Sequence, residues 1–93
     1  MDIKLEETGT TGTFYIGQYD NKIAEINWKK HDGFIAVDET RVDESLKGQG
    51  YGIKLFDKVV EYAREHSLKI KPVCSFVVKM FERHPEHQDL VVE

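Results

Sequence analysis

Hydrophobic and polar residues alternate along the first half of the chain, and a longer period replaces the alternation in the second. Ile3 and Leu5 alternate with Lys4 and Glu6, a period-two pattern that predicts a short strand over residues 3–7. Thr8-Gly9-Thr10-Thr11-Gly12 has the composition of a turn. Residues 13–19, rich in aromatic and β-branched side chains, predict a second strand. Asp20-Asn21 predicts a tight turn, and residues 22–30 a third strand. That strand would show Ala24, Ile26 and Trp28 on one face and Glu25, Asn27 and Lys29 on the other. His31-Asp32-Gly33 carries an Asp-Gly hairpin signal, and a fourth strand runs from Phe34 to about Val42. Strands joined by such short turns predict an antiparallel meander.

Beyond Val42 the period changes. Gly52, Leu55, Phe56, Val59, Val60 and Ala63 recur at three- and four-residue spacing, the stripe of an amphipathic helix, with Lys54, Asp57, Lys58, Glu61 and Arg64 outside it. His66-Ser67 ends the helix. A short fifth strand is expected over residues 69–74, with Pro72 where one side of the ladder is unpaired. A second helix follows from Ser75 to about Arg83, with Phe76, Val77, Met80 and Phe81 inward, and Pro85 stops it. The tail, residues 86–93, is polar and then apolar, and adds an edge strand or packs as a coil. Strand four, helix and strand five form a β-α-β unit, which requires those strands to be parallel. The fold class is α+β: a meander of about four strands, a β-α-β crossover and a second helix, all in one domain over residues 1–93.

Ninety-three residues suffice for one modest core, and 40% hydrophobic with 32% charged residues fits a globular chain. The formal charge of −4 disfavours nucleic acid, whose phosphates call for a basic face. The single cysteine, Cys74, rules out an internal disulfide and suits a reducing compartment. The N-terminal residues show no apolar signal region, and no apolar run approaches the roughly 20 residues of a membrane helix. The expectation is a cytoplasmic protein without a membrane partner.

The junction between strand four and the helix carries the chemistry. Gly48, Gly50 and Gly52 alternate within Lys47-Gly48-Gln49-Gly50-Tyr51-Gly52. Glycine admits backbone angles closed to other residues and lets a ligand approach the main chain. A helix start adds unpaired N–H groups and a positive dipole end, together an anion site. The phosphate-loop pattern G-x-x-x-x-G-K-[ST] and the dinucleotide pattern G-x-G-x-x-G are both absent, since the spacing here is G-x-G-x-G. Spacing alone leaves open a plain strand-to-helix turn in which a glycine serves helix–sheet contact.

The same six residues resemble motif A of the GNAT superfamily of acetyl-CoA-dependent N-acyltransferases, [RQ]-x-x-G-x-[GA], with Gly50 and Gly52 at its small positions. Lys47 departs from the usual Arg or Gln, keeping the charge but not the planar fork. The resemblance implies that main-chain N–H groups of residues 47–52 hold the pyrophosphate of coenzyme A. It also implies that the pantetheine arm lies in a splay between strands four and five. Pro72-Val73-Cys74-Ser75-Phe76-Val77 and His84-Pro85-Glu86-His87 are similar to segments of a compact GNAT-like subfamily of about ninety residues. The two N-terminal helices and the last hairpin of larger GNAT domains are expected to be missing or vestigial here.

Cys74 falls at a strand end before a helix start, where the positive dipole end would lower a thiol's pKa from about 8.5 toward 7. Free cysteine is also commonly a small core residue. The resemblance implies a catalytic or coenzyme-contacting thiol, acting covalently or in proton transfer. Glu39 is the candidate base, against the ordinary alternative of a solvated strand residue. By resemblance, the Val42 N–H would polarise the acyl carbonyl. Tyr51 would cover the coenzyme or pack. Trp28 belongs to the core, His31 to the surface. His84 and His87 flank a proline and lack a further ligand pattern, so no metal is expected. The expected activity is acetyl transfer from acetyl-CoA, the co-substrate, to an unidentified amine, small molecule or protein. The alternatives are a non-catalytic coenzyme-A-binding module and an interaction domain on the same fold. The sequence carries no reading of the oligomeric state.

Overall fold

Apolar and polar side chains alternate through most of the first half of the chain, and four strands zip together on that pattern: β1 (Lys4–Glu7), β2 (Thr11–Gln18), β3 (Asn21–His31) and β4 (Phe34–Val42). The computed structural model describes residues 2–92; Met1 and Glu93, the last residue of the expected tail, lie outside the described residues. The strands pair antiparallel in chain order, as a meander must. The β2–β3 turn falls on Tyr19-Asp20, one residue before the Asp20-Asn21 turn expected, because Gln18 pairs with Asn21. Gly33 takes φ +84 at the β3–β4 turn, the left-handed angle that the Asp-Gly signal anticipates.

One sheet face is buried. Phe14 and Ile16 of β2, Ala24, Ile26 and Trp28 of β3, and Ile35 and Val37 of β4 meet α1 (Tyr51–Glu65) and α2 (Ser75–Arg83) in one hydrophobic cluster. Leu55, Phe56, Val59 and Ala63 are wholly buried along the α1 stripe, each of the larger ones contributing roughly 1.5–3 kcal/mol. Tyr62, which the stripe does not include, is buried between Phe14 and Trp28, with centroid distances of 6.2 and 5.1 Å. Burial, then a hydrogen bond to Glu7, pushes its hydroxyl pKa up to about 12.

β5 (Lys69–Pro72) lies parallel to β4, which makes the sheet five-stranded in the order β1-β2-β3-β4-β5. It is two residues shorter than expected. The N–H groups of Val73 and Cys74 both donate to the Val37 carbonyl, each at 3.1 Å, so the chain turns off the ladder there. Lys69 donates to the Gly33 carbonyl, just before β4, and Val73 to that of Val37, which directs the nitrogen of Pro72 to the outer edge, where no ladder donor is missed. On that edge the Val92 N–H donates to the Ile70 carbonyl at 2.9 Å, and Val91 bridges Ile70 in parallel. The tail reaches this position through a 3-10 turn, Pro85–Leu90, held by a two-pronged Arg64–Asp89 pair at 2.9 and 3.1 Å. No described helix is long and apolar enough to cross a membrane.

Candidate coenzyme site

A 3-10 turn, Glu44–Leu46, carries the chain from β4 to the glycine loop. Asp43 caps it, accepting from the Ser45 N–H at 3.2 Å and the Ser45 hydroxyl at 2.6 Å, and these bonds hold its carboxyl below the usual aspartate range. Gly48 and Gly50 then take φ +79 and +80, angles that L residues rarely adopt, and open space surrounds the position of a Cβ at both. Gly50 is the N-cap of α1 and offers no capping side chain. The first bond of the helix runs from Lys54 N–H to the Gly50 carbonyl at 3.2 Å, so Tyr51, Gly52 and Ile53 have no acceptor within the helix. Three adjacent donors at the positive end of a helix that turns through bare glycine are the makings of an anion cradle.

These donors open on a cavity of about 210 Å³ lined by Val42, Leu46, Lys47, Gly48, Gly50, Tyr51, Gly52, Ile53 and Phe76. Gly52 serves a different purpose from its neighbours: a Cβ there would stand 3.0 Å from Cζ of Phe76, so its bareness lets α2 close against α1. The contact role that the turn reading gives a glycine is therefore filled at Gly52, while Gly48 and Gly50 face open space. Gln49 lies outside the lining, its amide donating to the Ser45 carbonyl at 3.1 Å. Lys47 pairs with Glu44 at 3.6 Å on the exposed rim, and the Lys54 ammonium sits 5.1 Å over the Tyr51 ring.

β4 continues past the end of β5, and a bulge decides what it presents there. Trp28 pairs with Val37 and Asn27 with Glu39, which leaves Asp38 as the extra residue. The bulge exchanges the faces: Ile35 and Val37 point into the core, but beyond Asp38 it is Thr40 and Val42 that point to the helix side. The Asp43 N–H donates to the Ile23 carbonyl at 2.7 Å, which makes Ile23/Asp43 a hydrogen-bonded pair. With Val42 opposite Ala24 and Arg41 opposite Glu25, alternation turns the N–H groups of Thr40 and Val42 away from β3, toward the gap where β5 has ended. Cys74 sits across this gap, its thiol donating to the Thr40 hydroxyl at 3.6 Å.

The expected site residues thus divide. Val42, Lys47, Gly48, Gly50, Tyr51 and Gly52 come together around the cavity, and Cys74 borders the adjoining gap through Thr40. Glu39 is not beside Cys74: it lies on the helix-free face of the sheet. Its neighbours form a chain of polar contacts. The Thr13 hydroxyl donates to Oδ1 of Asn27 at 2.6 Å, and Nδ2 of Asn27 donates to Glu25 at 3.1 Å and to Glu39 at 3.2 Å. Arg41 clamps Glu25 through Nε at 3.2 Å and Nη2 at 2.7 Å. Burial alone would raise the Glu25 carboxyl; the bonds from Arg41 and Asn27 outweigh it and hold the group below the usual range. Phe76, on the inward stripe of α2, lines the cavity with Leu46 and Ile53, which fall outside the apolar stripes and carry no sequence signal.

The family model described as GCN5-related N-acetyl-transferase matches residues 13–90. No curated protein matches the chain significantly. Among solved structures, the NMR structure of a GCN5-like protein from Staphylococcus aureus is 40% identical, covers 96% of this chain and 87% of its own, and superposes with a TM-score of 0.75. Tetrahymena GCN5 shares 16% identity over 82% of this chain and 51% of its own, with a TM-score of 0.65. A protein from Bacillus anthracis assigned as a streptothricin acetyltransferase, solved with acetyl coenzyme A, shares 17% identity over 82% and 47%, with a TM-score of 0.62. The chain spans about half the length of these last two, whose likeness is one of fold. With most of its length matched by the family model, the chain belongs to the GCN5-related N-acetyltransferase family.

Proposed function

We propose that this protein, a single domain over residues 1–93, transfers an acetyl group from acetyl-CoA to an amine. The observation that carries the reading is the cavity at the α1 start, where uncapped N–H groups of Tyr51, Gly52 and Ile53 converge behind two glycines in left-handed conformations. The pyrophosphate of coenzyme A is assigned to this cradle, with Lys47 as a rim cation. The thioester arm follows the gap between β4 and β5, where the Val42 N–H faces the acyl oxygen. A fold neighbour solved with acetyl coenzyme A supports the choice of ligand.

The amine nitrogen attacks the thioester carbon, a C–N bond forms, and the C–S bond breaks. Glu39, on the far side of the sheet, takes the proton that the nitrogen sheds, directly or through one water. The coenzyme thiolate leaves toward Cys74, whose thiol supplies its proton; Glu39 then releases its proton to solvent and Cys74 regains one from solvent, which restores both groups. The division of faces seen for Glu39 and Cys74 fits direct attack, with acceptor and coenzyme entering the gap from opposite sides. A panel of amines, polyamines, aminoglycosides and lysine peptides, assayed for free coenzyme A release, tests the reading. Acyl transfer to at least one class is expected; tight coenzyme binding with no transfer to any would leave a binding module instead.

A further inference from the structure

Of the carboxylates on the open face of the sheet, Glu6 pairs with Lys22 at 3.7 Å, Glu25 with Arg41 at 2.7 Å and Asp38 with Lys29 at 3.6 Å. Glu39 has no cation within salt-bridge distance among the described residues; its protein partner is the Asn27 amide at 3.2 Å. Glu6, Thr13, Asn27 and Glu39 stand directly opposite one another on successive strands, in one row across the sheet. The orientation of Asn27 is fixed by chemistry. Carboxylates only accept, so the amide nitrogen must face Glu25 and Glu39, and the amide oxygen is then left to the Thr13 hydroxyl, which donates at 2.6 Å.

The geometry points to Asn27 as the positioning residue of Glu39: one amide, locked by Thr13, holds the carboxylate aimed at the acceptor nitrogen and ready to take its proton. This rests on the assignment of Glu39 as base. The division of charge explains the choice of an amide. A lysine or arginine at this position would neutralise Glu39 as Arg41 neutralises Glu25, and would weaken it as a proton acceptor. An apolar residue would leave it unaimed beside Glu25. An amide aims it and leaves its charge uncompensated, free to take the proton of the attacking amine. Charged groups that share the face are Lys4 and Glu6 of β1, Lys22, Glu25 and Lys29 of β3, Asp38 and Arg41 of β4, and Lys71 of β5, at the level of Ala36; the Lys4 ammonium donates to the Gly17 carbonyl at 3.1 Å.

Asn27→Asp is isosteric and removes the donor; Thr13→Val keeps the donors and removes the lock. Calorimetry with coenzyme A, which binds on the other face, checks that each variant folds and should return the wild-type Kd. With the amine that supports turnover, Asn27→Asp should lower kcat by about ten- to hundredfold at neutral pH, the worth of a hydrogen bond to a charged group. It should also move the acid limb of the pH–rate profile to higher pH, with little change in acceptor KM. Thr13→Val should do the same more weakly. In the wild-type protein, the Asn27 side-chain amide protons should shift together with the Glu39 carboxyl carbon in an NMR pH titration. Wild-type kcat and pH profile in Asn27→Asp, with Glu39→Gln slow, would overturn the positioning role alone. Wild-type kcat in Glu39→Gln would overturn the base assignment beneath it.

Discussion

Replacing Gly50 by valine separates what the loop does for the fold from what it does for the ligand. At φ +80 an L residue is strained by roughly 1–2 kcal/mol, and nothing stands within 4 Å of the new Cβ to add to that cost. For a domain of this size, the melting temperature should fall by about 5–15 °C. Rotation of the first turn of α1 to relieve this strain should carry the N–H groups of Tyr51, Gly52 and Ile53 out of the cradle. Losing two charge-assisted bonds at roughly 1.5–3 kcal/mol each weakens coenzyme A about 10²- to 10⁴-fold. Gly33→Val is the matched control: it has φ +84 and open space, and it sits at the β3–β4 turn, at the opposite end of β4 from the loop. It should show the same loss of stability and no loss of affinity. Calorimetric titration and thermal unfolding of both variants read the two effects. A folded Gly50→Val protein that binds coenzyme A within twofold of wild type would refute the placement of the diphosphate.

Lys47→Ala should weaken coenzyme A by about tenfold or less, since the Lys47–Glu44 pair is exposed, and the Kd of the variant should depend less on salt. Cys74→Ala should slow turnover while Cys74→Ser keeps more of it, because a hydroxyl can still donate; wild-type rates in both would remove Cys74 from the chemistry. Stability should respond to pH at both extremes, as read by chemical denaturation. The carboxyls of Asp89, held low by Arg64, and Asp43, held low by Ser45, sit below their ordinary value of 3.8 in the folded chain. Their contribution is therefore whole above about pH 4 and drains as pH falls through the folded values. Tyr62 has the opposite sign: raised from 10.0 to about 12, it contributes fully below pH 10 and loses that contribution as pH rises toward 12.

The strand pattern was legible because β2, β3 and β4 each bury one face, so period two is enforced and the Phe34–Val42 bounds follow from the Asp-Gly turn and the change of period. The α1 stripe was legible for the same reason, except Tyr62, whose hydroxyl hides an aromatic that the core uses between Phe14 and Trp28. The end of β5 was not, since two N–H groups sharing the Val37 carbonyl leave no mark in composition. Nor was the bulge at Asp38. Strict alternation would put Glu39 on the face of Ile35 and Val37, whereas the extra residue sends it to the open face and gives Thr40 to Cys74. Sequence alone names the residues of the candidate site; its two-sidedness comes from that single inserted position.

Acetyl-CoA is placed along the α1 start and the β4–β5 gap. Titrating the isotope-labelled protein with acetyl-CoA and following its backbone amide signals tests this residue by residue. Saturable shifts are expected at Gly48, Gly50, Tyr51, Gly52 and Ile53, continuing through Thr40, Val42 and Cys74, with the β3–β4 turn at Gly33 silent. Shifts confined to other surfaces, or none at millimolar acetyl-CoA, would contradict it.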